Sequence, residues 1–108
     1  MSEVPMVDLS TFTYEQMLGQ VGSRFRIDFN NAPTVTLELV RVDRLMDKHT
    51  HPRLVRDTFA LVFLGPVEPL LAQQMYYMQH EVLGAPLPIF IVPISKDAEG
   101  VRYEAVFG

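Results

Sequence analysis

The sequence predicts an all-β domain with one short N-terminal helix, its six antiparallel strands running as a meander that closes into a small barrel or roll. Three observations lead there. Apolar and polar residues alternate with period two along several segments, the mark of half-buried strands. Turn residues separate these segments at intervals of about 8–12 residues. Helical periodicity is confined to one short segment near the N-terminus. The length of 108 residues fits one domain, and 48% hydrophobic against 20% charged residues excludes a disordered chain. Residues 1–9 read as an N-terminal tail and residues 10–108 as the domain.

Taken in order, Ser10 reads as the N-cap of a helix over about 12–20 that carries Phe12, Met17 and Leu18 and closes near Gly19 or Gly22. Arg24, Arg26 and Asp28 then alternate with Phe25, Ile27 and Phe29, giving a first strand that ends at the turn residues Asn30-Asn31-Ala32-Pro33. From Thr34 to about Met46, Val35, Leu37 and Leu39 share one face before the phase changes at Val40 and Val42. One extra residue near Leu39-Val40 explains that change, so a β-bulge is expected there. Asp47 to Arg56 is polar and reads as an exposed loop. Thr58 to Gly65 is apolar on both faces, as in a strand covered on two sides. Pro66 and Pro69 interrupt the chain, and Gln74 to Leu83 resumes as a strand with Tyr76, Met78 and His80 on one face and Met75, Tyr77 and Gln79 on the other. Leu87 to Ser95 is again apolar on both faces, although Pro88 and Pro93 favour an edge, a bulge or a strand end. Val101, Tyr103, Ala105 and Phe107 alternate with Arg102 and Glu104 as a last strand.

Several chemistries are excluded or disfavoured. With no cysteine there is no disulfide, no thiolate nucleophile and no Cys-ligated metal. A net charge of −4 argues against nucleic-acid binding. The N-terminal residues lack a basic and then apolar signal, and Val82 to Ser95 is too short and too proline-rich to span a bilayer as a helix. No membrane association, a cytoplasmic location and no cofactor are therefore expected. His49 and His51, with Asp47 beside them, form a weak metal candidate in the polar loop. His80 is expected to be a partly buried strand histidine satisfied by a neighbour, since no nucleophile is identifiable for it. None of the four serines sits in a nucleophile elbow, and the six glycines do not cluster into a phosphate loop. The chain is expected not to be an enzyme.

Between Asp57 and Lys96 there is no Lys or Arg, while Met75-Tyr76-Tyr77-Met78 and Phe90 supply large adaptable side chains. Lysine depletion with tyrosine, phenylalanine and methionine enrichment is what an interface core shows. Met75, Tyr76, Tyr77, Met78 and Phe90 are therefore the candidate surface for a protein partner or a second copy. Phe25, Phe59, Phe63 and Phe107, with Tyr76, are the candidates for the interior, where a small-ligand site is the alternative. A metal-dependent enzyme using His49, His51 and His80 is the second alternative.

Gly22-x-x-Phe25, Leu37-x-Leu39, Phe59-x-Leu61-x-Phe63, Gly65-Pro66, Gln74-x-Tyr76, His80-Glu81, Ile89-Phe90-Ile91-x-Pro93 and Tyr103-Glu104-Ala105-Val106-Phe107 together resemble a family of small bacterial domains of unknown function. The resemblance spans about residues 10–108. It implies a β-rich accessory protein of the sort associated with phage-tail-like proteins, and it brings no catalytic residues with it.

Overall fold

The computed structural model describes residues 9, 12–45 and 58–107. The expected tail at residues 1–8, Ser10, and the loop holding Asp47, His49 and His51 lie outside the described residues.

The helix α1 spans Tyr14–Leu18 and is shorter than the expected 12–20. Its N-cap is Thr13 rather than Ser10, because Thr13 has the reciprocal partner that a capping box needs three residues on. The Gln16 amide donates to Thr13 Oγ1 at 3.1 Å, and the Thr13 amide donates to Gln16 Oε1 at 3.3 Å. Arg44 holds the helix to the sheet, donating to Glu15 Oε1 at 2.8 Å with its guanidinium 4.4 Å from the Tyr14 ring centre.

Six strands follow: β1 (Arg24–Phe29), β2 (Ala32–Arg44), β3 (Phe59–Gly65), β4 (Gln74–His80), β5 (Gly84–Asp97) and β6 (Gly100–Phe107). All pairings are antiparallel, and the order β1-β2-β3-β6-β5-β4 closes into a ring through β4 and β1. This corrects the expected continuous meander. Two three-stranded meanders, β1-β2-β3 and β4-β5-β6, are joined by a crossover at residues 66–73, so β4 lies beside β1 as in a Greek key. Pro66 and Pro69 end β3 by removing two amide donors from the ladder, and the connection that follows passes across the end of the ring instead of turning back on β3. The crossover is pinned from inside the ring. The Leu71 amide donates to Tyr103 Oη and Tyr76 Oη donates to the Ala72 carbonyl, each at 2.9 Å.

The bulge expected near Leu39-Val40 is present: Leu39 faces Phe63 and Arg41 faces Val62, leaving Val40 as the extra residue. Beyond it the inward phase passes to Val42, as the apolar pattern required. β3 is buried on both faces, from Phe59 through Phe63. Pro93 sits where the register of β5 shifts against β6, and Pro88 lies where β5 pairs with β4 alone, the positions a strand proline tolerates. Phe25 and Phe63 meet edge to face at 5.1 Å in the core, and half-buried Phe107 stacks on Phe59 at 5.4 Å.

Candidate functional site

The outer face of β4 and β5 is built by alternation. Met75 and Tyr77 point outward and are 48% and 54% exposed, and their cross-strand partners are Phe90 and Pro88. Phe90 is 48% exposed, so large apolar side chains stand side by side on two neighbouring strands. Val106 on β6, at 62% exposure, belongs to the same outward set. The expected surface is corrected at two positions. Tyr76 is 6% and Met78 0% exposed because they occupy the inward phase of β4, where Met78 lies opposite buried Ile27 and Tyr76 reaches Ala72 with its hydroxyl. Burial also pushes the Tyr76 phenol above its ordinary pKa, so the hydroxyl stays a donor.

On the β1 side the apolar face ends at a polar chain. Arg26 donates to Gln79 Oε1 at 2.6 Å, Gln79 Nε2 donates to Asp28 Oδ2, and Thr34 Oγ1 donates to Asp28 Oδ1 at 2.8 Å. These groups satisfy one another.

The fold also makes a contact that sequence reasoning missed. His80 Nε2 lies 2.8 Å from Ser23 Oγ, across 57 residues of chain. The pair looks like a base and its nucleophile, yet its hydrogen bonds run the wrong way for that. His80 Nδ1 accepts from the amides of Val82 and Leu83, both at 3.0 Å, so in the neutral ring the proton sits on Nε2. Nε2 therefore donates to Ser23 Oγ, which in turn donates to the Gln20 carbonyl. With no lone pair turned to the serine, the imidazole cannot take its proton. Burial lowers the His80 pKa, with Glu81 opposing weakly, which keeps the ring neutral. The arrangement is a latch that ties the segment before β1 to the turn after β4.

Two open grooves flank these features. One, of about 620 Å³, runs past His80 between Arg24, Arg26 and Gly84. The other, of about 1280 Å³, lies between the β1–β2 hairpin and the crossover, with Phe29, Val35 and Leu71 on its walls and Arg24, Lys96, Glu38 and Glu68 around it. Neither is lined by Phe25, Phe59 or Phe63, which pack on other side chains. Among the described residues no cluster of three or more His, Asp or Glu is placed to hold a metal, and no helix is long and apolar enough to cross a membrane.

The model of a family described as a domain of unknown function, DUF6916, matches residues 12–107. No curated protein and no solved structure matches the chain significantly.

Proposed function

The chain belongs to the DUF6916 family of domains of unknown function, and on that premise we propose that it is a non-catalytic interaction module whose ring of strands acts as a small rigid barrel presenting the outer face of β4 and β5 to a second copy. The observation that carries this is the adjacency of Met75, Tyr77 and Phe90, all about half exposed, on β4 and the part of β5 before Lys96, a stretch without lysine or arginine. Such residues contribute most to association when buried in the centre of an interface. A phage-tail-like assembly is a setting in which a small self-associating part would serve. Light scattering across a concentration series tests the reading. A mass above 12.3 kDa that Phe90→Lys with Tyr77→Lys returns to the monomer value supports it, and a monomer at every concentration overturns it.

The larger groove favours a second reading, a binder of small amphipathic anions. Phe29, Val35 and Leu71 would take the apolar body, while Arg24 and Lys96, which form no ion pair among the described residues, would take the charge. Binding of a fluorescent fatty acid that Arg24→Ala weakens is the result it requires.

A further inference from the structure

The ring closes unevenly: its backbone pairing is shortest beside the apolar face, where the Phe29 ring meets Tyr76 edge to face at 6.3 Å. β1 meets β4 at only two register pairs, Arg26 with Gln79 and Ile27 with Met78. The pairing stops where the register of β1 with β2 also shifts, between Ile27 and Phe29, an irregularity of the kind that bends a hairpin away from its neighbour. Among the described strands, Gln74–Tyr77 is therefore paired with β5 alone.

The direction of the free backbone groups follows from Pro88. Proline has no amide hydrogen, so Pro88 and Tyr77, which face each other, cannot form a pair that exchanges two hydrogen bonds. The exchanging pairs are then Gln74 with Ile91, Tyr76 with Ile89 and Met78 with Leu87. The amides of Met75 and Tyr77 consequently point away from β5, into the seam, just as that of the next odd residue, Gln79, points to β1 at Arg26. β5 has an open side too along residues 84–91, but Pro86 and Pro88 blunt it. The β4 edge carries neither proline nor charge, the two usual guards against pairing with another chain.

Resting on the self-association proposed above, we infer that the second copy docks by antiparallel pairing of the two β4 edges along Gln74–Tyr77. An antiparallel edge is complementary to itself, because the same amides and carbonyls serve both copies about a two-fold axis. Nothing charged lies between Glu68 and His80, so the paired edges themselves bring no like charges face to face in a chain of net charge −4, and Asp28 across the seam is held by Gln79 and Thr34. The product is a continuous sheet β5-β4-β4-β5 in which Met75 and Tyr77 of both copies meet on the outer face, flanked by Phe90. The apolar face is thereby shielded as a consequence of the edge pairing.

Sedimentation of the full chain with three variants tests this. The wild type is expected at twice 12.3 kDa. Met75→Pro removes one seam-facing amide in each copy while sparing the ladder with β5, and it raises the dissociation constant about tenfold or more. Met75→Lys places a charge on the outer face beside that edge and is expected to break the dimer in either geometry, so the Met75 amide itself carries the test if the proline variant does not fold. Exchange of the Met75 amide in the wild type must slow as concentration rises. If Met75→Pro dimerises like the wild type, or the Met75 amide exchanges at the same rate at every concentration, while Met75→Lys and Phe90→Lys stay monomeric, the copies meet face to face; edge pairing is overturned and the self-association reading survives. If the wild type stays monomeric, both fall.

Discussion

At the scale of single residues, His80 and Gly100 make the sharpest statements. His80 accepts two amides and donates to Ser23, so adding a proton to Nδ1 sets a donor against two donors. Glu81 is the acid that acts on it, and Arg24 and Arg26 line the groove beside it. The folded pKa lies below the ordinary histidine value. Between the two values the unfolded chain therefore binds a proton that the folded chain does not, and stability falls as pH falls. Chemical denaturation across pH is expected to show full stability above about 6.5, a decline below it, and a plateau once the folded form also titrates. His80→Phe is expected to cost about 1–3 kcal/mol at neutral pH, since it strands the Val82 and Leu83 amides, and to flatten that decline. Parallel pH profiles for variant and wild type would show that the latch does not titrate. Gly100 has φ of +147°, and a Cβ there would stand 2.0 Å from the Gly65 carbonyl oxygen. Gly100→Ala is accordingly expected to cost at least about 2 kcal/mol and to lower the melting midpoint by roughly 10 °C.

At the scale of elements, what could be read from the sequence was what a strand encodes locally. β1 alternates strictly, so both its limits and its inward face were legible. The bulge at Val40 was legible because an extra residue flips the apolar phase, and no other local event does so as simply. The start of α1 was readable and missed, since Thr13-x-x-Gln16 is a capping-box signature where Ser10 offers no such partner. Which face of β4 turns inward was not legible, because methionine and tyrosine occupy both. Pairing with Ile27 of β1 and the hydroxyl's reach to Ala72 decide it, and both are long-range facts. The crossover was likewise hidden, for prolines announce a break without saying where the chain goes next. Of the two hydrogen bonds that pin it, the buried one can be removed alone. Tyr103→Phe leaves the Leu71 amide without its acceptor and is expected to cost about 1–3 kcal/mol. Exchange of that amide should accelerate while those of β3 keep their protection, and a uniform acceleration would mean that the crossover and sheet open together.

At the scale of the whole molecule, the distribution of charge separates the two readings of the surface. The chain carries a net −4, yet its ion pairs among the described residues lie on β1, on β2, between β2 and α1, and around the β5–β6 turn. The outer face of β4 and the adjoining part of β5 has none. Depletion of basic residues from 58 to 95 made that neutrality legible in the sequence, but a closed ring was needed to turn it into one face with one open edge. Two copies that meet there bury apolar surface and backbone edge while their like net charges repel at longer range. Added salt screens that repulsion over a Debye length of about 10 Å at 0.1 M and does not weaken apolar contact. The dimer dissociation constant is therefore expected to stay level or fall as sodium chloride is raised. A ligand held through Arg24 and Lys96 in the larger groove has the opposite dependence, its affinity dropping as the cations are screened. Sedimentation at low and high salt, with fatty-acid binding followed in the same buffers, measures both slopes. A dimer that dissociates as salt rises would locate its contact on the charged strands instead, and would move the interface off β4.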